Sequence, residues 1–298
     1  MKKTIYALGF FDGVHLGHRA LLETCRELAR QRECFAGVIT FSTHPGVQLR
    51  GESPGLISGV RDREKLILER YRMDSLVTLP FDEHMRTLPW EAFIQMLLSE
   101  YDAAGFVCGE DFRFGFRGQG TAPLLSDYCG QRKLPCMVVP EQTIDGIRVS
   151  STYIRRQIET GDMETAVRFL GHPHQLTGMV VHGQGLGRKL GMPTANLKLP
   201  EGLAVPKFGV YVCRAIIDGQ PYPAVTNIGT RPTVEGSGIT VEPWILDYSG
   251  DLYGREITLE FYRFLRPEMK FPDLDALQAE IRNNAEQARL YLKTTFTQ

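Results

Sequence analysis

Residues 9–18 read GFFDGVHLGH, and this segment decides how the first half of the 298-residue chain folds. The apolar stretch Thr4–Gly9 predicts a short buried strand, and Arg19–Arg30 has the apolar spacing of an amphipathic helix. A strand, a glycine-rich turn and a helix in this order bring free backbone N–H groups to the positive end of a helix dipole. Such a turn predicts a phosphate-binding loop.

Two histidines, His15 and His18, stand at the start of this predicted helix, and Gly17 between them lets a phosphate approach the backbone closely. Imidazoles can donate hydrogen bonds to phosphate oxygens as charge builds on them. Phosphoryl-type transfer needs this positioning and charge stabilisation, and it needs no nucleophilic side chain. A turn with two surface histidines is the alternative for an isolated H-x-G-H, but the position between strand and helix favours phosphate chemistry.

Composition narrows the range of functions. The chain has 34 basic and 35 acidic residues, so its formal net charge is −1 and argues against nucleic-acid binding. It has no apolar run near the ~18 residues of a membrane span. Six scattered cysteines without a C-x-x-C pair predict reduced thiols in a cytoplasmic protein. The 30 glycines are about a tenth of the chain, above the usual ~7%, and mark close backbone approaches.

The order of elements predicts two domains, with bounds 1–172 and 173–298. In the first, apolar strands alternate with amphipathic helices, which predicts an α/β domain with a mostly parallel sheet and ligands at the carboxyl ends of its strands. The second has short strands and glycine-rich turns, which predict a small antiparallel barrel. Residues 274–292 predict one amphipathic helix at its end.

A second glycine cluster, residues 178–191, precedes Pro193-Thr194-Ala195-Asn196. Alone it predicts a flexible hairpin. Side chains two apart on an extended chain point the same way, so Thr194 and Asn196 face one side. Their neutral oxygens suit Mg²⁺, a hard cation that is usually shared with substrate phosphates.

Five segments of the first half occur in the order known from one family. GFFDGVHLGH resembles the signature of the nucleotidyltransferase superfamily in its flavin branch. Residues 40–45 (TFSTHP), 80–82 (PFD), 109–115 (GEDFRFG) and 150–155 (SSTYIR) resemble its other motifs. The resemblance implies a Rossmann-like nucleotidyltransferase domain with His15 and His18 as catalytic residues. It further implies ATP contacts from Gly9, Phe11, Asp12, Gly17, Ser150, Ser151, Thr152 and Arg155, and flavin contacts from His44, Asp111 and Phe112.

The second half resembles riboflavin kinase, on the P-T-A-N motif and on residues 208–211 (FGVY), 227–233 (NIGTRPT) and 241–254. This resemblance implies a six-stranded antiparallel barrel with a terminal helix, in which Glu242 is the general base. Pro243-Trp244 departs from the family pattern, and because proline lacks a ladder donor we expect an edge or bulged strand there. The implied ATP contacts are Gly183, Gly187, Arg188, Lys189, Gly191 and Pro193, the flavin contacts Asn227, Arg231 and Leu246, and the Mg²⁺ ligands Thr194 and Asn196.

Together the two resemblances cover nearly the whole chain and imply a bifunctional enzyme. Its second domain would phosphorylate riboflavin with ATP to give FMN, and its first would transfer AMP from ATP to FMN, giving FAD and pyrophosphate. Three alternatives stay open: one activity alone, with the barrel weakened at Pro243-Trp244; a non-enzymatic flavin or nucleotide sensor; and a nucleotidyltransferase for another acceptor. The barrel motifs argue against the last of these. The oligomeric state stays open.

Overall fold

The computed structural model describes residues 3–43, 55–183, 191–233 and 236–296. The chain forms two compact units, one of Met1–Pro54 with Val60–Tyr153 and one of Gly55–Gly59 with Ile154–Gln298. By compactness, residues 154–172 belong with the second unit, whereas the motifs place a boundary at 172/173. That boundary stays a prediction.

The first unit is built on a five-stranded sheet in the order β3-β2-β1-β4-β7, with every neighbouring pair parallel. Its strands are β1 (Thr4–Leu8), β2 (Phe35–Phe41), β3 (Ser75–Leu79), β4 (Ala103–Gly109) and β7 (Cys136–Val139). Two small hairpins accompany it, β5 (Arg113–Phe114) with β6 (Gly120–Thr121) and β8 (Thr143–Ile144) with β9 (Ile147–Arg148).

Helices cover both faces of this sheet. They are α1 (Leu16–Gln31), α2 (Val60–Lys65, continued by a π-helical turn Leu66–Arg70), α3 (Glu83–Thr87), α4 (Trp90–Glu100), α5 (Ala122–Gln131), α6 (Ser151–Thr160) and α7 (Met163–Leu170). The last two reach into the second unit.

β1 is buried on both faces, and alternate residues serve opposite cores. Ile5 and Ala7 belong to a cluster with α1, whereas Tyr6 and Leu8 belong to a cluster with α4 and α5. The chain leaves β1 between β2 and β4, where the direction of strand order reverses. Loops at such a switch point form the ligand crevice of parallel sheets.

The second unit is a closed six-stranded barrel in the order β10-β11-β14-β13-β12-β15, with antiparallel pairing. Its strands are β10 (His174–Val181), β11 (Asn196–Lys198), β12 (Gly209–Ile217), β13 (Gln220–Thr233), β14 (Gly236–Ile245) and β15 (Glu256–Arg266), and the terminal helix is α8 (Leu274–Phe296). The predicted fold class, a parallel α/β domain followed by a six-stranded antiparallel barrel with a terminal helix, is confirmed.

Helix α8 lies against the outside of the barrel. Ala285, Ala288 and Leu292 of the helix pack on outward-facing residues such as Val212 and Leu246. The strand residues that alternate with these outward-facing ones are also buried, so their side chains fill the barrel interior. β12, which lies under α8, is buried on both faces along most of its length and reads as a nearly continuous apolar run.

Gly105, in the middle of β4, has no room for a side chain. A Cβ there would lie 2.5 Å from the Pro135 carbonyl oxygen. We predict that Gly105→Ala lowers the free energy of unfolding by about 1–3 kcal/mol through overpacking. Gly130 in α5 is the matched control, because nothing lies within 4 Å of its Cβ position and a helical alanine there is neutral or stabilising by up to ~1 kcal/mol. Equal unfolding curves for the two variants would contradict the packing argument.

His174, 1% exposed, points into the barrel, and neither ring nitrogen has a hydrogen-bond partner among the described residues. Burial, with a smaller effect from His172, lowers the pKa of His174 from 6.5 to about 3. Between these values the unfolded chain binds a proton that the folded chain does not, so stability falls as the pH drops through this window.

We predict that His174→Leu makes the free energy of unfolding less dependent on pH between 6.5 and 4, by up to about 1.4 kcal/mol per pH unit. Urea unfolding at several pH values measures this. Leu176→Val, a substitution without a titratable group in the same strand, provides the control and should leave the slope as in the wild type. The same slope in all three proteins would show that His174 does not titrate with unfolding.

Candidate active sites

The loop that follows β1 is held in a conformation that its residues do not favour. Phe11 and Val14 have φ of 59° and 39°, and Gly13 between them has φ of 76°. Positive φ is costly for side chains other than glycine, so packing must impose it. Both non-glycine residues are fully buried, and the hydroxyl of Thr40 donates to the Phe10 carbonyl at 2.9 Å. Since the Phe11 side chain lies in the core, only its backbone faces the loop surface.

The loop delivers His15 and His18 as a stacked pair. Their ring centroids are 3.7 Å apart and their planes 12° from parallel. His15 caps α1, because its Nδ1 accepts the backbone N–H of His18 at 3.3 Å. A neutral His15 therefore carries its proton on Nε2. Gly17 is needed for this packing, since a Cβ would lie 3.1 Å from Cε1 of His15.

His18 is held in the neutral form. Burial lowers its pKa well below 6.5, and the nearby His15 and Arg63 lower it further. Its Nδ1 is buried and has no hydrogen-bond partner within the described part of the chain. At neutral pH the His18 ring is therefore neutral, and it can donate a hydrogen bond beside a helix N-terminus without the charge of an imidazolium.

Arg63 is a residue of this site that the sequence analysis missed. It is 2% exposed, and its guanidinium donates to the Phe10 carbonyl at 3.0 Å and to the Phe41 carbonyl at 2.9 Å. It thereby joins the loop after β1 to the end of β2. In the sequence, Arg63 stands four residues before Ile67, so the two lie on the same side of a helix, and Ile67 is buried. This spacing is the one sequence signal for the burial of Arg63.

The start of α6 also reaches the loop. Ser151 donates its hydroxyl to the Asp12 carbonyl at 2.9 Å, and Ser150 Oγ accepts the backbone N–H of Tyr153 at 3.3 Å. Thr152 is exposed. Arg155 belongs to the second unit, where its Nε donates to the Gly55 carbonyl at 2.6 Å.

Beyond the end of β4, Asp111 forms an ion pair with Arg148, which also contacts Glu141 at 2.9 Å. Phe112 stacks on Phe114 with centroids 5.2 Å apart. These side chains lie at the carboxyl edge of the sheet, as do Gly9 and the histidine loop. His44, the third predicted flavin residue, lies outside the described residues.

In the barrel, register brings together residues from three motifs. Leu197 pairs with Val241 and Thr194 with Trp244, so Asn196 of β11 lies opposite Glu242 of β14. On its other side, Glu242 pairs with Asn227 of β13. All three polar side chains are half-buried. Residues directly opposite in antiparallel strands have Cβ atoms about 4.5–5.5 Å apart, so this cross-strand row is one local site.

The expectation of an edge or bulged strand at Pro243 is wrong. β14 has neighbours on both sides, and its register with β13 is unbroken from Ala224–Ile245 to Thr233–Gly236. The Pro243 carbonyl accepts the Ala195 N–H at 2.9 Å. Proline lacks only the reciprocal donor to β11, so the strand loses one hydrogen bond and keeps its geometry beside Glu242.

A cleft of about 480 Å³ is lined by Pro193, Thr194, Tyr248 and Asp251, among others, but by none of the three residues of the row. A Cβ at Gly183 would fall 2.1 Å from the Asn196 amide nitrogen, so glycine there makes room for the amide. Thr194 and Asn196 supply the neutral oxygens that suit a hard cation, and no group of three His, Cys, Asp or Glu is placed to hold a metal in the described ranges. This donor set fits a cation that takes most of its ligands from phosphate and water.

Three more residues predicted for the kinase site, Leu246, Asn227 and Gly191, lie within the described part of the chain. Leu246 is buried beneath α8, which leaves no side-chain surface for a flavin, and its role stays a prediction. Asn227 donates to Glu268 at 3.5 Å, and Gly191 has φ of 70°. Gly187, Arg188, Lys189 and the side chain of Arg231 lie outside the described residues.

Comparison with known proteins assigns each half of the chain to a family. A family profile described as FAD synthetase matches residues 1–153, and one described as riboflavin kinase matches residues 170–292. The chain is 32% identical over 290 residues to a bifunctional riboflavin kinase/FMN adenylyltransferase from Listeria monocytogenes, covering 96% of this chain and 92% of that protein. The chain belongs to the bifunctional riboflavin kinase/FMN adenylyltransferase family. The family expected from the sequence is confirmed.

Other members of this family are equally similar. The identity is 34% to the Bacillus subtilis enzyme, over 97% of this chain and 92% of that one, and 34% to the Escherichia coli K12 enzyme, over 98% and 93%. A solved structure described as a macrolide-efflux protein from Streptococcus pneumoniae matches with a TM-score of 0.88 and 31% identity, over 97% of this chain and 94% of that one. In the present chain, no helix among the described residues is long and apolar enough to cross a membrane.

Arg63→Met tests the electrostatics of the histidine pair. Removing the guanidinium charge should raise the pKa of His18 toward its ordinary value, by up to about one unit. The unpaired Phe41 carbonyl should cost about 1–3 kcal/mol of stability. Histidine NMR titration of the wild type and the variant measures the pKa of His18. An unchanged or lowered pKa of His18 would refute the proposed effect of Arg63.

Proposed function

We propose that the barrel phosphorylates riboflavin with ATP to give FMN, and that the first unit transfers AMP from a second ATP to FMN, giving FAD and pyrophosphate. The observation that carries this proposal is that each compact unit assembles one group of polar residues from its own set of family motifs. In the barrel it is the row Asn196–Glu242–Asn227, and in the first unit the stacked pair His15–His18.

In the barrel, Glu242 accepts the proton of the ribityl 5′-hydroxyl as that oxygen bonds to the γ-phosphorus and ADP leaves. Asn227 beside it is suited to orient the hydroxyl-bearing chain, because its amide can both donate and accept. The half-buried position of Glu242 supports its role as general base, because fewer water molecules compete with the substrate hydroxyl for its carboxylate. Gly183, Gly191 and Pro193 border the ATP side, and Gly187, Arg188, Lys189, Arg231 and Leu246 keep their predicted roles.

Thr194 and Asn196 are the proposed ligands of a divalent cation, and Mg²⁺ is the ion we expect because it prefers oxygen donors and shares its ligands with phosphates. When bound, this ion offsets the negative charge on the phosphates of ATP. The chain contributes the orientation of the two oxygens, which the packing of Gly183 against Asn196 supports.

In the first unit, an oxygen of the FMN phosphate attacks the α-phosphorus of ATP and pyrophosphate leaves. The Nε2–H of His15 and the neutral ring of His18 donate hydrogen bonds to the oxygens that gain charge. The N-terminus of α1, the backbone of Gly9 to Gly17 and the hydroxyl of Ser150 are the proposed contacts of the remaining phosphates. Ser151, whose hydroxyl donates to the Asp12 carbonyl, keeps its role as a prediction. Thr152 and Arg155 are predicted partners of the triphosphate, and Asp111, Phe112 and His44 of the flavin.

The partners are accordingly riboflavin, FMN, FAD, ATP and pyrophosphate. A cytoplasmic location is our expectation from the sequence and stays a prediction.

One incubation tests both activities. With riboflavin, ATP and Mg²⁺, the wild type should produce FMN and then FAD on chromatography. Glu242→Gln should lower FMN formation at least a hundredfold while FMN supplied from outside is still converted to FAD. His18→Ala should instead accumulate FMN, with FAD formation lowered at least a hundredfold. Magnesium chelation should stop both steps, and Mn²⁺ in its place tests ion preference.

Matched controls are the exposed Glu201 in the second unit and the exposed His84 in the first, whose Gln and Ala variants should behave as wild type. A wild type that forms FAD only from supplied FMN would support a single-activity enzyme. A wild type that binds flavin and ATP without forming either product would support a sensor. Either result would overturn the proposal.

A further inference from the structure

A carboxylate that the proposed kinase mechanism does not use lies beside the row Asn196–Glu242–Asn227. It belongs to Glu268, in the connection between β15 and α8. The side-chain amide of Asn227 donates to Glu268 Oε1 at 3.5 Å. Because Glu268 is exposed to solvent, a substrate bound at the row can reach its carboxylate.

Gly229 makes room for this carboxylate on the surface of β13. A Cβ at Gly229 would lie 2.3 Å from Glu268 Oε1 and 3.0 Å from its Cδ, so any other residue there would push the carboxylate away. Gly229 stands two residues after Asn227, and the two therefore face the same side of the strand. The carboxylate thus lies against β13 on the face that also carries Asn227.

The connection that carries Glu268 is fixed at both ends. Before it, Arg266 Nε donates to Asn284 Oδ1 at 3.0 Å and lies 3.2 Å from Glu280 Oε1. Asn284 is only 1% exposed, so this anchor to α8 is shielded from water. After it, the Asp273 carboxylate accepts a backbone N–H in the first turn of α8 at 2.8 Å. Binding a ligand at Glu268 therefore requires little further ordering of this segment.

The carboxylate lies diagonally across from the general base of the proposed mechanism. Asn227 of β13 pairs with Glu242 of β14, and Gly229 is the next residue on the same face of β13. Diagonal positions on paired antiparallel strands are about 7–8 Å apart. A chain of hydroxyl-bearing carbons that ends at Glu242 can therefore pass close to Glu268.

A carboxylate suits such a chain chemically. An ionised carboxylate only accepts hydrogen bonds and has about four lone-pair sites, whereas every hydroxyl has one proton to donate. Hydrogen bonds to an ionised acceptor are also about twice as strong as bonds between neutral groups.

We propose that Glu268 is a second carboxylate of the riboflavin site, and that it accepts hydrogen bonds from ribityl hydroxyls other than the 5′-hydroxyl. This inference rests on the proposed kinase activity of the barrel and on the role of Glu242 in it. Glu268 takes no proton from the reacting oxygen. It selects a flavin whose side chain is a polyol, and it binds that chain equally before and during phosphoryl transfer.

Steady-state kinetics of Glu268→Ala in the full-length protein test this role. The KM for riboflavin should rise about tenfold or more, because a charge-assisted hydrogen bond contributes at least about that factor. The kcat and the KM for ATP should stay within about twofold of the wild type, since only uniform binding of the flavin is lost. Glu286→Ala is the matched control, because it removes an exposed carboxylate of α8, and it should behave as the wild type.

Lumiflavin separates recognition of the hydroxyls from an effect on the flavin ring or on the fold. It has the same ring system with a methyl group in place of the ribityl chain, and it is added as an inhibitor that competes with riboflavin. Its inhibition constant should be the same in the wild type and in Glu268→Ala.

Gly229→Ala provides a second test that leaves the carboxylate in the protein. The new methyl group should displace Glu268 from β13 and raise the KM for riboflavin. In the Glu268→Ala background the same substitution should have no further effect, so the two changes are not additive. Thermal unfolding of all variants checks that each is folded.

Three results would overturn the role of Glu268 while leaving the kinase activity in place. They are an unchanged KM for riboflavin in Glu268→Ala, an equal rise in the inhibition constant of lumiflavin, and additive effects of the two substitutions. A large fall in kcat at unchanged KM would also overturn it, because it would assign Glu268 to the chemical step. A wild type that does not phosphorylate riboflavin would instead overturn the proposed function itself.

Discussion

Strand register is the constraint on which both sites depend, because a shift of one residue turns every side chain of a strand to its other face. In the barrel, the register of β11, β14 and β13 brings Asn196, Glu242 and Asn227 into one row, although they are far apart in the chain. In the first unit, the pairing of β1 between β2 and β4 fixes where the chain leaves the sheet. The chemistry of each site follows from a backbone arrangement made elsewhere.

Burial determines the protonation state of His18 in the phosphate loop, and the net charge of the chain does not reveal it. The chain is nearly neutral, and its first candidate site holds the neutral imidazole of His18 beside a helix N-terminus. Burial and the Arg63 charge keep His18 unprotonated. Donors that are fixed before the reaction need no reorganisation when charge develops on phosphate oxygens. The strained backbone at Phe11 and Val14 is held by the same packing.

Several elements could be predicted because their signal is local. The strand Thr4–Leu8 and the helix Leu274–Phe296 begin at the predicted residues, because apolar spacing marks both elements. Helix α5, Ala122–Gln131, was missed although Thr121 caps it, because its ten residues show little apolar periodicity. β14 was expected to bulge at Pro243, but it does not. The N–H that proline lacks would face β11, so one hydrogen bond to β11 is lost and the pairing with β13 is intact. Tertiary pairing outweighed the local preference of proline.

By itself, the sequence determined the two domain types and the family, and it proposed most residues of the two candidate sites, because phosphate-binding turns depend on local spacing of glycine, histidine and hydroxyl residues. Only the tertiary structure decided which of these residues meet. It added Arg63 to the first site and removed the side chains of Phe11 and Leu246 from the surface. The reason is physical: burial, protonation and cross-strand contact depend on distances between segments that are remote in the chain, and no local pattern encodes those distances.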